Sequence, residues 1–247
     1  MPSDRLMRVV TTPIAIVIVI VIATAAWFPA RQAWAQGDAD DEEQSACRQQ
    51  FDPATVSVTA LPIQPSMDLS LDTRALTLIE GKSANQRVLG RTTARLRNTT
   101  RFQTRAHKLP SGRACLKPTL AVTVTFEPMV IFVGSEYAHG SCEYLKILAH
   151  EQSHVDVYAA HLSELVAPLQ QDLRDYFAAA NLVTAVPAEK RRMLQAGIQD
   201  TIRARLRQMA EGLHARQRAV DSAEELKRLS DLHKSCAAQR AAPPVAR

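Results

Sequence analysis

His150-Glu151-Gln152-Ser153-His154 sets two imidazoles four residues apart, with a carboxylate beside the first. On an α-helix, positions i and i+4 project from one face, about 6 Å apart along the axis. Two neutral imidazoles so placed can close on one zinc ion. Glu151, at the edge of that face, can then take a proton from a zinc-activated water. The pattern arises by chance in about one chain of this length in a hundred, so its surroundings have to decide. They predict a helix from about Cys142 to Val166. Leu145, Ile147, Leu148, Ala149, Val155, Val157 and Leu162 surround the pair, and the turn Ala138-His139-Gly140-Ser141 precedes it with Ser141 as N-cap. The competing reading, two core histidines in an apolar helix, crowds two imidazoles and an acid together without partners, which is costly.

His150-Glu151-Gln152-Ser153-His154 resembles the signature of the zincin metallopeptidases, a match that covers one helix. The run Gly140-Ser141-Cys142-Glu143-Tyr144 leading into that helix resembles an uncharacterised bacterial family described as secreted zinc-dependent proteases. The resemblance implies a zincin-like fold, Zn2+ as cofactor, peptide or protein substrates and Glu151 as the catalytic base. It also implies an extended edge strand above the motif helix that pairs with the substrate backbone; Thr119–Phe126 and Met129–Val133 are the segments expected there, with an ordinary half-buried strand as the alternative. Asp156 departs from the zincin pattern, which places an apolar residue two positions after the second histidine; the acid marks the solvent edge of the helix or orients a ligand.

Catalytic zinc needs three protein ligands and an open position, and the motif supplies two. His161 shares the histidine face but lies about 10.5 Å further along the helix. Ala160 stands where a metzincin has its third histidine, and near Asp172 and Asp175 there is no Glu of the thermolysin kind. The remaining candidates are His214, Asp221, Glu224 and Glu225. Asp221 is the favoured third ligand because it sits at a break between helices. The alternative is a capping box in which Asp221 or Ser222 pairs with Glu224 or Glu225. Tyr158, on the histidine face, reads as packing.

The elements that must hold these residues follow from pattern. Residues 1–35 read as a signal peptide: Arg5 and Arg8, an apolar run from Ile14 to Ala26, and a small-x-small site at Ala33-Trp34-Ala35. The alternative is an uncleaved N-terminal anchor, the only route to a membrane. Residues 36–50 read as an acidic disordered leader and 237–247 as a disordered tail. Between them, 51–236 reads as one domain. Alternation over Thr55–Thr59, Met67–Asp72, Thr92–Thr104 and Thr119–Phe126 predicts an N-terminal antiparallel sheet (51–137). The helical half (141–236) holds the motif helix, which is expected to continue with a kink at Pro168 to about Ala180. A second helix follows from Pro187 to about Arg218, and a third from Asp221-Ser222 to near His233. The fold class is α+β.

Four cysteines, Cys47, Cys115, Cys142 and Cys236, predict two disulfides in an exported chain, secreted or periplasmic. Three pairings are open; the favoured one joins Cys115 to Cys142 and Cys47 to Cys236. Beyond residue 35 the excess of positive charge is mild and does not by itself imply nucleic acid or membrane. Arg91, Arg95, Arg97, Arg101 and Arg105 are all odd-numbered, so one strand would present them on one sheet face. Without interleaved aromatics they do not read as a nucleic-acid site. Lys190, Arg191, Arg192, Arg203, Arg205 and Arg207 read as a solvated helix face, with a polyanion-binding surface for wall polymer or membrane headgroups as the alternative. The function expected is an exported zinc peptidase. The alternatives are a non-catalytic zinc-stabilised envelope binding domain and a metal-free helical interaction module. Substrate specificity and oligomeric state leave no mark in the sequence.

Overall fold

The strand patterns between Thr55 and Val133 form one sheet organised around its longest strand. In the computed structural model residues 40–49, 54–83 and 86–241 are described, and all of them but Asp40 and Asp41 fall in a unit that begins at Glu42. The expected signal peptide lies outside them. The central strand β4 (Ala114–Val133) runs antiparallel to β3 (Gly90–Lys108) over nearly its whole length, from Gly90↔Val133 to Lys108↔Ala114. Along its other edge lie β1 (Thr55–Ala60), β2 (Ser66–Asp68) and the two-residue β5 (Val183–Thr184).

The sheet is mixed, which corrects the antiparallel expectation. β1 and β2 both run parallel to β4. The chain climbs through β1 and β2, passes the short helix α2 (Thr73–Ile79), returns along β3 and climbs again in β4. The one hairpin absorbs the reversal, so β4 re-enters in the direction of β1 and β2. Alternation in β4 buries Leu116, Leu120, Val122, Val124 and Phe126 on one face, then Met129, Ile131 and Val133 after an irregularity at Glu127-Pro128. The extra residue there keeps the apolar set on the same face although its parity changes from even to odd.

The helices cover that face. α3 (Cys142–Ala179) opens with Ser141 Oγ accepting from the Tyr144 amide at 3.2 Å, as expected of an N-cap, and continues through Pro168. Ile147, Val155, Leu162, Leu165, Leu169, Leu173 and Phe177 form its buried stripe. α4 (Pro187–Val220) begins on its proline and buries Leu194, Ile198, Ile202, Met209 and Leu213. α5 (Ala223–Ala241) outlasts its expected end near His233 and enters the segment read as a disordered tail. Alanine-rich sequence favours helix there, and Cys236 anchors it. Residues 242–247 lie outside the described residues.

Part of the acidic leader is also ordered: residues 40–49 form a helix, α1. Gln44 Oε1 accepts from the Leu182 amide at 2.9 Å, Arg48 donates to the Ala180 carbonyl at 3.1 Å, and Glu43 pairs with Arg113 at 3.1 Å. Cys47 is buried and bonded to Cys115.

The disulfides are therefore Cys47–Cys115 and Cys142–Cys236, with Cα separations of 5.7 and 5.6 Å, and the favoured pairing is corrected. Cys115 lies at the start of β4 and Cys142 follows its end. About 60 Å of strand keeps them apart, whereas a bridge needs Cα atoms within about 7 Å. Two disulfides and no free cysteine point to an oxidising, extracytoplasmic environment. No helix among the described residues is long and apolar enough to cross a membrane.

Candidate metal centre

His150 and His154 stand one turn apart on α3, with ring centroids 5.1 Å apart. α4 packs back along α3 and ends at Val220, which delivers Asp221 to the two rings. One oxygen, Asp221 Oδ1, lies 3.2 Å from His150 Nε2 and 3.2 Å from His154 Nε2. Gln217, one turn before Asp221, closes the arrangement. Its amide nitrogen donates to the His154 carbonyl at 3.2 Å, which turns its oxygen toward His154 Nδ1 at 2.6 Å.

That last contact fixes the imidazole. A hydrogen bond to an amide oxygen requires the proton on Nδ1, so in neutral His154 the Nε2 lone pair faces the Asp221 carboxylate. Two acceptors 3.2 Å apart repel unless a cation lies between them. A proton on Nε2 is one such cation. Burial is the largest influence on His154 and lowers its pKa, but Asp221, Gln217 and Glu151 together hold it above the ordinary histidine value. Bonds from His150 and His154 keep Asp221 well below the usual carboxylate range, so it presents a full negative charge.

A metal ion is the other such cation, and the donors fit one. Two imidazole nitrogens and a carboxylate oxygen lie within 4.8 Å of one another, the only such group among the described residues. Tetrahedral zinc with bonds of about 2.0–2.1 Å sets its ligands about 3.3 Å apart, close to both observed 3.2 Å separations. The negative end of the α4 dipole, at its C-terminus, adds to the attraction. His150 is buried while the Asp221 side chain is half exposed, so the site has an open flank. His150 Nδ1 is buried without a hydrogen-bond partner, so the only polar contact of that ring is the one Nε2 makes with Asp221.

Glu151 lies buried beside the histidines. Burial pushes its pKa up, opposed by the Thr92 hydrogen bond and by the two histidines. Thr92 Oγ1 donates to Glu151 Oε2 at 2.8 Å and lies 3.2 Å from the Glu151 carbonyl. Gly90 walls the other oxygen: a Cβ there would stand 2.8 Å from Glu151 Oε1 and 2.6 Å from Ile147 Cγ2. The start of β3 is thus pressed against the carboxylate.

The remaining sequence candidates fall elsewhere. Ser222, not Asp221, caps α5, accepting from the Glu225 amide at 3.3 Å, and this leaves the Asp221 carboxylate for the histidines. Glu225 pairs with Arg228, and Asp172 pairs with Arg205 at 2.6 Å. His161 donates to the Met209 carbonyl at 2.8 Å, and His214 is exposed outside the cluster. Tyr158 packs edge-on against Phe126 at 4.7 Å. Asp156 is exposed and accepts from Gln152 at 3.2 Å, the solvent-edge reading. Thr119–Phe126 and Met129–Val133 both lie in β4, flanked along most of their length by β1 or β2 on one side and β3 on the other, so neither can be the expected edge. Among the described residues β3 pairs with β4 alone, so its outer edge carries no strand, and the outer edges of β1, β2 and β5 on the opposite side carry none either.

Comparison with known proteins finds no matching family model, no matching curated sequence and no matching solved structure. The assignment of the site rests on its own geometry. Sequence reasoning missed Gln217, Thr92 and Gly90. Gln217 carried a signal, since it precedes Asp221 by four residues on the same helical face. Thr92 and Gly90 carried none, because only the tertiary packing of β3 on α3 brings them to Glu151.

Proposed function

We propose that the chain is an exported zinc-dependent peptidase of zincin-like architecture, secreted or periplasmic, acting on peptide or protein substrates. The observation that carries this reading is the convergence of His150 Nε2, His154 Nε2 and Asp221 Oδ1, with Gln217 setting the tautomer and Glu151 alongside. Zinc held by these three donors supplies Lewis acidity, lowering the pKa of water to about 7 and polarising a peptide carbonyl.

The chain's own residues do the rest. Glu151 accepts the proton from the attacking water and passes it to the leaving amine. Its burial supports both transfers, because a raised pKa brings the carboxylate nearer to the water it must deprotonate and the amine it must protonate. Thr92 holds one oxygen in place. The unpaired edge of β3, whose first residues touch Glu151, offers backbone donors and acceptors to an extended peptide.

Two variants test the reading in one experiment. Glu151→Gln keeps one equivalent of zinc and loses about 10²–10⁴-fold in hydrolysis of an unfolded protein substrate. Asp221→Ala loses the zinc itself. Full activity in Glu151→Gln, or hydrolysis indifferent to a chelator, refutes the mechanism. A zinc-loaded wild-type chain that hydrolyses nothing supports the binding-domain alternative instead.

A further inference from the structure

The sheet has a second face, turned away from the helices, and its composition is unlike the first. Alternation places Arg97, Thr99, Arg101, Gln103 and Arg105 of β3 there, beside Lys117, Thr119, Ala121, Thr123 and Thr125 of β4 and Thr55, Ser57 and Thr59 of β1. The register lines them up in rows. Gln103, Thr119 and Thr55 form one row, and Thr99, Thr123 and Thr59 another. Between and beyond these lie the rows of Arg105 with Lys117, Arg101 with Ala121 and Ser57, and Arg97 with Thr125. Cation rows and hydroxyl or amide rows therefore alternate.

Arg97, Arg101 and Arg105 are exposed, and none has an ion pair among the described residues. They recur every fourth residue, about 13 Å apart along the strand. β1, β3 and β4 contain a single acid, Glu127, in the irregular segment beyond the Arg97 row. Edge strands often carry cations simply to block aggregation. That reading accounts for the arginines. It leaves unexplained the two neighbouring strands, which continue the face with hydroxyls and no carboxylate.

We propose that this face binds a linear acidic polysaccharide. Guanidinium forks match carboxylate groups bidentately, and the intervening threonine and glutamine rows suit sugar hydroxyls. The occupant is further narrowed by what the face lacks. Over these rows it carries no aromatic side chain on which a base could stack and no large apolar side chain to enter a bilayer; His107, Val130 and Phe132 lie beyond them at the two ends of the face. The extracytoplasmic environment indicated by the disulfides is where such polymers occur. The proposal is independent of the peptidase reading and stands or falls without it.

The test uses the full chain and polygalacturonate, with dextran as a neutral polymer, duplex DNA and anionic phospholipid vesicles as the other partners. Binding to polygalacturonate is expected, weakening as salt rises. Replacing Arg97, Arg101 and Arg105 together by Ser weakens it by about tenfold or more, while Lys190→Ser, Arg191→Ser and Arg192→Ser on α4 change it by less than about twofold. Thr119→Glu with Thr123→Glu keeps the arginines and sets acid in the middle of the face; it also abolishes binding. Equal binding by the arginine variant, equal loss in the α4 variant, or dextran binding as tightly overturns the proposal. So does tighter binding to DNA or vesicles at the same salt. Self-association of the arginine variant with polysaccharide binding intact identifies the arginines as edge guards and overturns it too.

Discussion

At the scale of single residues, the centre depends on where one proton sits. Gln217 holds the Nδ1 proton of His154 and so aims the Nε2 lone pair at the position between the rings and Asp221. Its side-chain hydrogen bonds are with His154 alone, so its part is to orient that ring. On the zinc reading, Gln217→Leu keeps the bulk but removes the acceptor, and is expected to cost about 10–100-fold in zinc affinity, the usual effect of losing a ligand's supporting partner. A competition titration against a chelator of known affinity measures it, and unchanged affinity removes Gln217 from the centre. The meeting of the two histidines with Glu151 beside them was legible in the sequence because spacing on a helix fixes direction, and the approach of Asp221 because it stood at a helix break. Gln217 was legible in principle. Thr92 and Gly90 were not, since they reach Glu151 from 59 and 61 positions earlier in the chain through a fold that no local pattern encodes.

At the scale of elements, the decisive contact is between the first residues of β3 and the N-terminal third of α3. Gly90 is required there for space rather than for backbone freedom: a methyl group would enter the volumes of both Ile147 and Glu151. Gly90→Ala is expected to destabilise the fold by about 1–3 kcal/mol through overpacking and, on the peptidase reading, to lower kcat by shifting the carboxylate that Thr92 holds. Denaturant unfolding reads the first effect and steady-state kinetics the second; an unchanged midpoint means that α3 yields without cost. The elements themselves were largely legible. Period two marked the strands, and Ser141 and Pro187 marked the starts of α3 and α4. What alternation cannot state is the neighbour of a strand, since it specifies a face and not a partner. The parallel placement of β1 and β2 on β4 was therefore out of reach, as was the central place of β4 that leaves β3 along one edge of the sheet.

At the scale of the molecule, two covalent ties hold the helices to the sheet and to each other. Cys47–Cys115 fastens α1 to the start of β4, and Cys142–Cys236 fastens the start of α3 to α5. The second closes a loop of 94 residues that contains both histidines and Asp221. Replacing Cys142 and Cys236 together by Ser is expected to cost about 2–5 kcal/mol of stability, measured as a lower denaturant midpoint in the absence of reductant. A midpoint that does not move means that helix packing alone suffices. Cysteine count predicted two bridges correctly, but spacing along the chain carries no distance in space, and α1 did not look like structure at all.

The separation of the donors along the chain has a consequence for how the protein comes into being. Asp221 follows the histidines by 71 and 67 positions, and the tie that closes the loop around all three waits for Cys236 and for an oxidant. A polypeptide still emerging from the ribosome therefore owns two of the three clustered donors and an unlatched C-terminal helix. If the centre is hydrolytic, it stays incomplete until the ribosome has made Asp221, and the latch around it closes only where an oxidant is at hand.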